Sequence, residues 1–496
     1  PVFLVPADGH DLPVADGGRV AGFFPRSGYE ALRDRVPTLD AADRALQAAI
    51  VRGSFAARAA GPLDAATLVA EPDDGDPAEA ALERDELRDE ARRIADRIEG
   101  LAHRDPGGDL HWLGLREIEG TGRQQLAPLD DALYAGSVGI GLFLATLARV
   151  TGVAARGDAA LATVARVRRR LADPDEVRTL VADGAIGGGL GFGSILYGLA
   201  RIADLLDDAG LGREVAAAAG RIDDARITED RGLDVMSGSA GAVLGLLAAE
   251  DHGRDGRALE RAIACGRRLL ERREASHDGP RGWRGHIPRA LTGFSHGAAG
   301  IAHALLRLAE ASGDDAFRIA ALEGIAFESR LYRPERGNWP DLRDGAGSDE
   351  APGFATGWCH GAPGIALARL ASPRLLADPM VCAEVDAAID TTCACGASGL
   401  DHACCGTLGR VETLLVGAEV RGRPDLADRA ARTVARVVRR ARRAGDYRFP
   451  GLAAGDHHPG FFTGLAGIGH QLLRLADPDR VPSVLLWSRS DERTRR

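Results

Sequence analysis

The sequence predicts an all-α fold. It reads as an (α/α) toroid, or barrel, of about seven helix hairpins, with Gly-x-x-Gly loops at one mouth and a short N-terminal remnant of another domain. Two observations carry this. Gly-x-x-Gly recurs at 136/139, 188/191, 238/241, 297/300, 361/364, 406/409 and 464/467, the first glycines being 52, 50, 59, 64, 45 and 58 residues apart. An apolar helical run follows most of these pairs, and arginine-rich amphipathic stretches lie between them. Composition narrows the class from the other side. Apolar residues at 45% and charged residues at 27% exclude wholesale disorder, and 64 glycines without a three-residue period exclude collagen. Aromatics at 5% leave the core mostly to Leu, Val, Ile and Ala.

Taken in chain order, residues 1–65 mix short apolar runs with Gly and Pro and end in a helical pattern over Ala41–Ala60. Residues 66–80 are acidic, carry two prolines and read as a linker. Residues 81–488 form the repeat domain, helical from Ala81 onward, and 489–496 are a polar tail. Inner helices follow the glycines, as in Ile140–Ala148, Ile301–Ala309 and Ile468–Ala476. Outer helices are Ala160–Ala172, Arg257–Glu274 and Asp425–Arg443, with apolar residues at three- and four-residue steps. Each first glycine is expected to open an inner helix, to permit positive φ and to let backbones approach closely. The helix N-termini would then point free N–H groups at one end of the ring.

A net charge of -10 argues against nucleic acid or an anionic membrane surface as partner. No run of about 18 apolar residues is present. The start, Pro-Val-Phe-Leu-Val-Pro, lacks a basic n-region and a cleavage site, so a cytoplasmic location is expected. It also lacks an initiating Met, which suggests a piece of a longer protein. Seven cysteines, an odd number, favour reduced thiols or metal ligands over a disulfide framework.

Two loops hold cysteine in the same register. Cys359 lies two residues before Gly361, Cys404 lies two before Gly406, and Cys405 follows Cys404. Three thiolates aimed at one point, with a fourth position open, is the layout of a catalytic zinc. Buried small hydrophobes or a redox pair are the plainer readings. Cys393 and Cys395 are rival ligands outside the register, while Cys265 and Cys382 sit in outer-helix patterns as packing. His360 and His402 flank the cysteines as ligands or substrate contacts. His296, just before Gly297, is a candidate general acid, and Asp234 is its candidate carboxylate partner. The plainer alternatives are an exposed loop histidine and an N-cap.

The repeats, Trp358-Cys359-His360-Gly361, Cys404-Cys405-Gly406 and Ser295-His296-Gly297 resemble the lanthionine synthetase C-like cyclases, from about Trp112 to Pro482. The wider pattern is similar to the class II lanthipeptide synthetases. It includes Leu133-Tyr134-Ala135-Gly136, Asn338-Trp339-Pro340-Asp341-Leu342-Arg343 and Phe462-Thr463-Gly464-Leu465-Ala466-Gly467. In those enzymes a dehydratase precedes the cyclase. Residues 1–65 resemble its tail, so the chain would cyclise without dehydrating.

The resemblance implies a Zn²⁺ held by Cys359, Cys404 and Cys405, with Cys405 where the family usually has His, as in a Cys-Cys-Gly subgroup. It implies His296 as acid/base and Asp234 as the nearby aspartate. An arginine that some single-domain relatives carry four residues before the first cysteine is Ala355 here, so its role is unfilled or moved. The implied reaction is addition of peptide cysteine thiols to dehydroalanine or dehydrobutyrine in a dehydrated lanthipeptide precursor, giving thioether rings. The implied partners are that peptide and the dehydratase domain of the same protein, with no nucleic acid and no membrane. Three cysteines rather than two would leave the substrate sulfur more nucleophilic and more labile, favouring speed and tolerance of ring size. The alternatives are addition of glutathione or another free thiol, or a noncatalytic peptide-binding toroid. A toroidal glycosidase would need two carboxylates in register, and the sequence offers no such pair.

Overall fold

The computed structural model describes residues 8–14, 18–59, 80–105, 107–118, 121, 123–173, 176, 180, 185–275, 279–343, 353–450 and 455–489. The expected linker, save Ala80, and the expected polar tail, save Arg489, lie outside them. The chain divides into two compact units, residues 1–56 and 57–496. In the first, β1 (Leu12–Pro13) pairs with β2 (Arg19–Val20), followed by α1 (Gly28–Arg35) and most of α2 (Ala41–Ala59). Ser27 and Glu30 form a reciprocal capping box at the start of α1.

The second unit is a closed ring of hairpins. Its inner helices are α4 (Ser137–Thr151), α6 (Phe192–Leu206), α9 (Ser239–Gly253), α11 (Ala298–Ser312), α13 (Ala362–Leu370), α15 (Thr407–Arg421) and α17 (Leu465–Ala476). Each packs on the next, and α17 packs back on α4. Six outer partners follow their inner helices: α5 (Ala154–Ala172), α7 (Ala209–Ala218), α10 (Arg257–Glu271), α12 (Asp315–Leu331), α14 (Pro379–Ala394) and α16 (Pro424–Ala444). The seventh is α3 (Arg84–Gly100), which packs on α17, so the unit's first ring helix closes on its last. A short α8 (Asp224–Glu229) fills the connection before α9. Inner helices are buried nearly all round, whereas α10 buries only Ala258, Ala262, Cys265, Gly266 and Leu269, one stripe at helical spacing.

The structure corrects three expectations. The pattern does not stay helical after Ala81. β3 (His103–Arg104) pairs with β4 (Leu110–His111), β5 (Leu113–Ile118) pairs with β6 (Arg123–Pro128), and later β7 (Arg273–Ala275) pairs with β8 (Arg281–Trp283). In the second repeat Gly191, not Gly188, precedes the helix, and Ser194 stands where the other repeats have their second glycine. Positive φ is not why glycine recurs. Only Gly361 among the seven helix-opening glycines has it, at 95°, and the others are extended.

Space is the reason. A Cβ on the second glycine would lie 1.8–2.3 Å from the carbonyl oxygen six residues earlier, at Gly139, Gly241, Gly300, Gly364, Gly409 and Gly467. Each helix start is thus folded tightly under its own loop.

A short segment after α17 lies inside the ring. Val484–Leu486 make a turn of 3₁₀ helix whose carbonyls accept from inner elements: Trp358 Nε1 to the Leu485 oxygen at 3.1 Å, and His303 Nε2 to that of Leu486 at 3.0 Å. Trp487, fully buried, packs against Phe294, Trp358 and Phe462. This aromatic plug closes the axis beneath the loop mouth.

Candidate active site

The loops meet through one repeated backbone contact. In six of the seven loops the residue two before the helix-opening glycine donates its N–H to the carbonyl of the equivalent residue in the next loop. The links run Tyr134 to Gly189 (3.1 Å), Gly189 to Met236 (3.1 Å), Ser295 to Cys359 (3.1 Å), Cys359 to Cys404 (3.3 Å), Cys404 to Phe462 (2.8 Å) and Phe462 to Tyr134 (2.8 Å). Among the described residues the remaining link, Met236 to Ser295, is not made. The side chains of Asp234 and His296 span that junction instead. The register read from the sequence is therefore a physical ring, and Cys359 and Cys404 are adjacent members of it.

The sulfurs of Cys359, Cys404 and Cys405 all lie within 4.8 Å of one another. Cys359 is 3.5 Å from Cys405, and Cys405 is 3.6 Å from Cys404. Sulfurs at adjacent corners of a zinc tetrahedron are about 3.8 Å apart, given Zn–S bonds of about 2.3 Å, so the donor set fits that ion. Hydrogen bonding to Cys404 and Cys405 holds the Cys359 thiol well below its usual range, and the same contacts push the other two well above it. A divalent cation held there would let all three ionise together.

Beside the cluster, His296 Nδ1 lies 2.6 Å from Asp234 Oδ2. Asp234 is fixed by Ser237, whose N–H (2.7 Å) and hydroxyl (3.1 Å) donate to Oδ1. The aspartate is 6% exposed and the histidine 40%, so a rigid carboxylate backs an imidazole that can still meet substrate. Burial alone would lower the histidine's pKa, but the Asp234 carboxylate outweighs it and raises it above the ordinary 6.5. The loop is held from below. Glu328 of α12 accepts through one oxygen from the N–H groups of Gly293 (2.9 Å) and Ala299 (3.1 Å), on either side of His296. Asn338 likewise receives Ala362 N–H at 2.7 Å beneath the Cys359 loop.

His360 and His402 stay outside the sulfur cluster. His360 accepts or donates at Ser295 Oγ (3.2 Å), stacks near His296 and is pulled down to about 4 by burial. His402 is buried and also pulled to about 4 by burial. Cys395 donates to the Thr391 carbonyl, and Cys265 is buried in α10, so neither joins the cluster.

The family model for lanthionine synthetase C-like proteins matches residues 127–486. The chain belongs to the lanthionine synthetase C-like family. Solved structures similar to it include nisin cyclase, at 17% identity over 82% of this chain and 98% of that one, with a TM-score of 0.49. A glycoside hydrolase family 76 α-mannanase from Bacteroides thetaiotaomicron is similar at 10% identity over 80% and 96% of the two chains, with a TM-score of 0.40. No curated protein sequence matches the chain.

Two residues of this family member, quoted above only inside longer segments with no role assigned, stand at the cluster. Arg343 forms a bidentate pair with Asp341 (3.0 and 2.7 Å). Burial would weaken its charge, but Asp341, aided by the Cys359 and Cys405 sulfurs, holds it firmly protonated. A guanidinium therefore stands near the cluster although Ala355 carries none. Tyr134 Oη lies 3.3 Å from Cys404 Sγ. Its phenol is pushed well above the usual range, first by burial and then by the neighbouring sulfurs, so it remains a donor. Its place two residues before Gly136, the register of Cys359 and Cys404, is the signal that points to it.

Proposed function

We propose that this chain is the cyclase part of a class II lanthipeptide synthetase, of the subgroup whose zinc carries three cysteines. It adds peptide cysteine thiols to dehydroalanine or dehydrobutyrine and forms lanthionine or methyllanthionine rings. The observation that carries the reading is the meeting, at one loop mouth, of three sulfurs with the His296–Asp234 pair. Cys359, Cys404 and Cys405 would hold Zn²⁺, which when bound supplies a thiolate at neutral pH from a peptide thiol whose own pKa is near 8.5.

The protein's other residues manage the carbon and the proton. Sulfur forms a bond to the β-carbon, and the alkene electron pair moves toward the α-carbon and its carbonyl. His296 delivers a proton to that α-carbon. Asp234 accepts from Nδ1 and so leaves Nε2 as the nitrogen that exchanges protons with substrate. Arg343, tied to Asp341, places positive charge near the developing anion. The plug of Trp487, Trp358 and Phe462 keeps water from beneath the site.

The dehydratase that makes the alkene belongs to this reading as a partner domain, as does a cytoplasmic reaction. All seven cysteines are free, and among the described residues no helix is long and apolar enough to cross a membrane. The test is incubation of the zinc-loaded chain with a dehydrated, cysteine-containing peptide, followed by alkylation of the remaining thiols. Loss of alkylatable thiol at unchanged peptide mass is the expected result. A cysteine-free dehydrated peptide with glutathione separates the alternative, since a glutathione adduct would favour intermolecular addition.

A further inference from the structure

A centre of one divalent zinc, three protein thiolates and one substrate thiolate carries a formal charge of about −2. Buried, it needs donors that spread this charge. Arg343 supplies a nearby cation, but its hydrogen bonds go to Asp341 and not to a sulfur. What remains is a donor aimed at a sulfur itself, and Tyr134 is one.

Its position is built by three loops at once. The Tyr134 N–H donates to Gly189, and its carbonyl receives the N–H groups of Phe461 (3.2 Å) and Phe462 (2.8 Å). Its ring stacks on Phe462 at 5.1 Å between centroids and 14° between planes. The phenol is thereby fixed with Oη 3.3 Å from Cys404 Sγ. Phe462 in turn receives the Cys404 N–H, so side chain and sulfur are locked to the same scaffold. A hydroxyl donated to a thiolate withdraws electron density from it and makes it a weaker donor to its metal.

We infer that Tyr134 is a positioning residue for the metal centre, damping the charge of Cys404 through its hydroxyl while Cys359 and Cys405 donate in full. The three cysteines are then inequivalent, and the reactivity of the substrate thiolate is set partly from the first repeat, far in sequence from the ligands. This rests on the zinc cyclase reading given above.

The test uses Co²⁺ in place of zinc on the full chain, with Tyr134 native, as Tyr134→Phe, and as 3-fluorotyrosine, a more acidic and stronger donor. Phenylalanine keeps the stack on Phe462, so the comparison isolates the hydroxyl. The sulfur-to-cobalt charge-transfer band is expected at lower energy in Tyr134→Phe and at higher energy with fluorotyrosine. A mercurial attacks the sulfur itself, so metal release by that reagent should be about tenfold faster in Tyr134→Phe, whose undamped thiolate is the better nucleophile. A common band position and release rate across all three proteins would overturn the inference while leaving the zinc reading intact. A native chain that takes up no cobalt with sulfur bands would overturn the zinc reading, and this inference with it.

Discussion

Asp234 and His296 come from different repeats, 62 residues apart, yet their side chains share one short hydrogen bond. The proposed acid depends on that contact, and two outcomes follow. His296→Ala should lower the cyclisation rate by roughly 10²–10⁴-fold while zinc content is retained, as rate and metal analysis together would show. The raised pKa of His296 fixes the sign of the pH dependence. The proton donor is present below the raised pKa and lost as pH rises through it, so the rate should fall on the alkaline side. Asp234→Asn removes the upward pull and leaves burial, which moves that fall to lower pH. A pH–rate profile with the same alkaline limb in both proteins would count against the pairing.

At this scale the sequence was informative where repeats could be aligned. Cys359, Cys404, His296 and Asp234 are legible because each keeps a fixed offset from a glycine. Tyr134 shares such an offset, but a tyrosine there carries no ligand chemistry of its own. Arg343 keeps no offset, so only folding brings its charge near the sulfurs.

Between residue and ring stand the loop-to-helix junctions, whose geometry is set by close approach. A Cβ at Gly364 would sit 1.8 Å from the Trp358 carbonyl oxygen, whereas one at Gly422 meets nothing within 4 Å. Gly364→Ala is therefore expected to cost more than about 3 kcal/mol, through displacement of the Cys359 loop. Gly422→Ala should cost only about 1 kcal/mol, for its left-handed φ of 61°. Chemical denaturation of the two variants checks the contrast. The glycine repeat was legible in the sequence, but its cause was not, since a requirement for positive φ and one for empty space select the same residue.

Glu328 serves the same level. It is fully buried, holds both ends of the His296 loop, and burial raises its carboxyl to about 7, against the pull of Arg369. A carboxyl raised in the folded state lends stability that is full below its unfolded value near 4.5 and is lost as pH rises through about 7. Glu328→Gln keeps an acceptor for Gly293 and Ala299 but cannot ionise. Its melting temperature relative to the native chain should therefore rise from pH 5 to pH 8, and a constant difference would contradict this account.

For the whole molecule, closure decides the architecture. The ring is sealed twice, by α3 packing on α17 and by the 484–487 segment running into the axis. Neither was legible from periodicity. A helix over 84–100 shows in the pattern, but nothing in it says which end of the ring it joins. The plug lies outside any repeat, in a stretch that reads as a domain edge. The short strands between α3 and α4 were missed because two to six residues cannot outweigh a helical pattern on both sides. Trp487→Ala should cost about 3–5 kcal/mol, since the cavity it leaves is enclosed by Phe294, Trp358 and Phe462 and cannot easily collapse. Thermal unfolding would show it.

The central claim is that three cysteine sulfurs from two neighbouring loops hold one zinc. Zinc content and zinc-edge X-ray absorption on the purified chain, alongside Cys404→Ser and Cys405→Ser, test it most directly. One zinc per chain in a sulfur-dominated shell at about 2.3 Å, with metal reduced in both variants, is the expected result. A folded native chain without zinc, or zinc bound equally well after loss of Cys404 or Cys405, would contradict it.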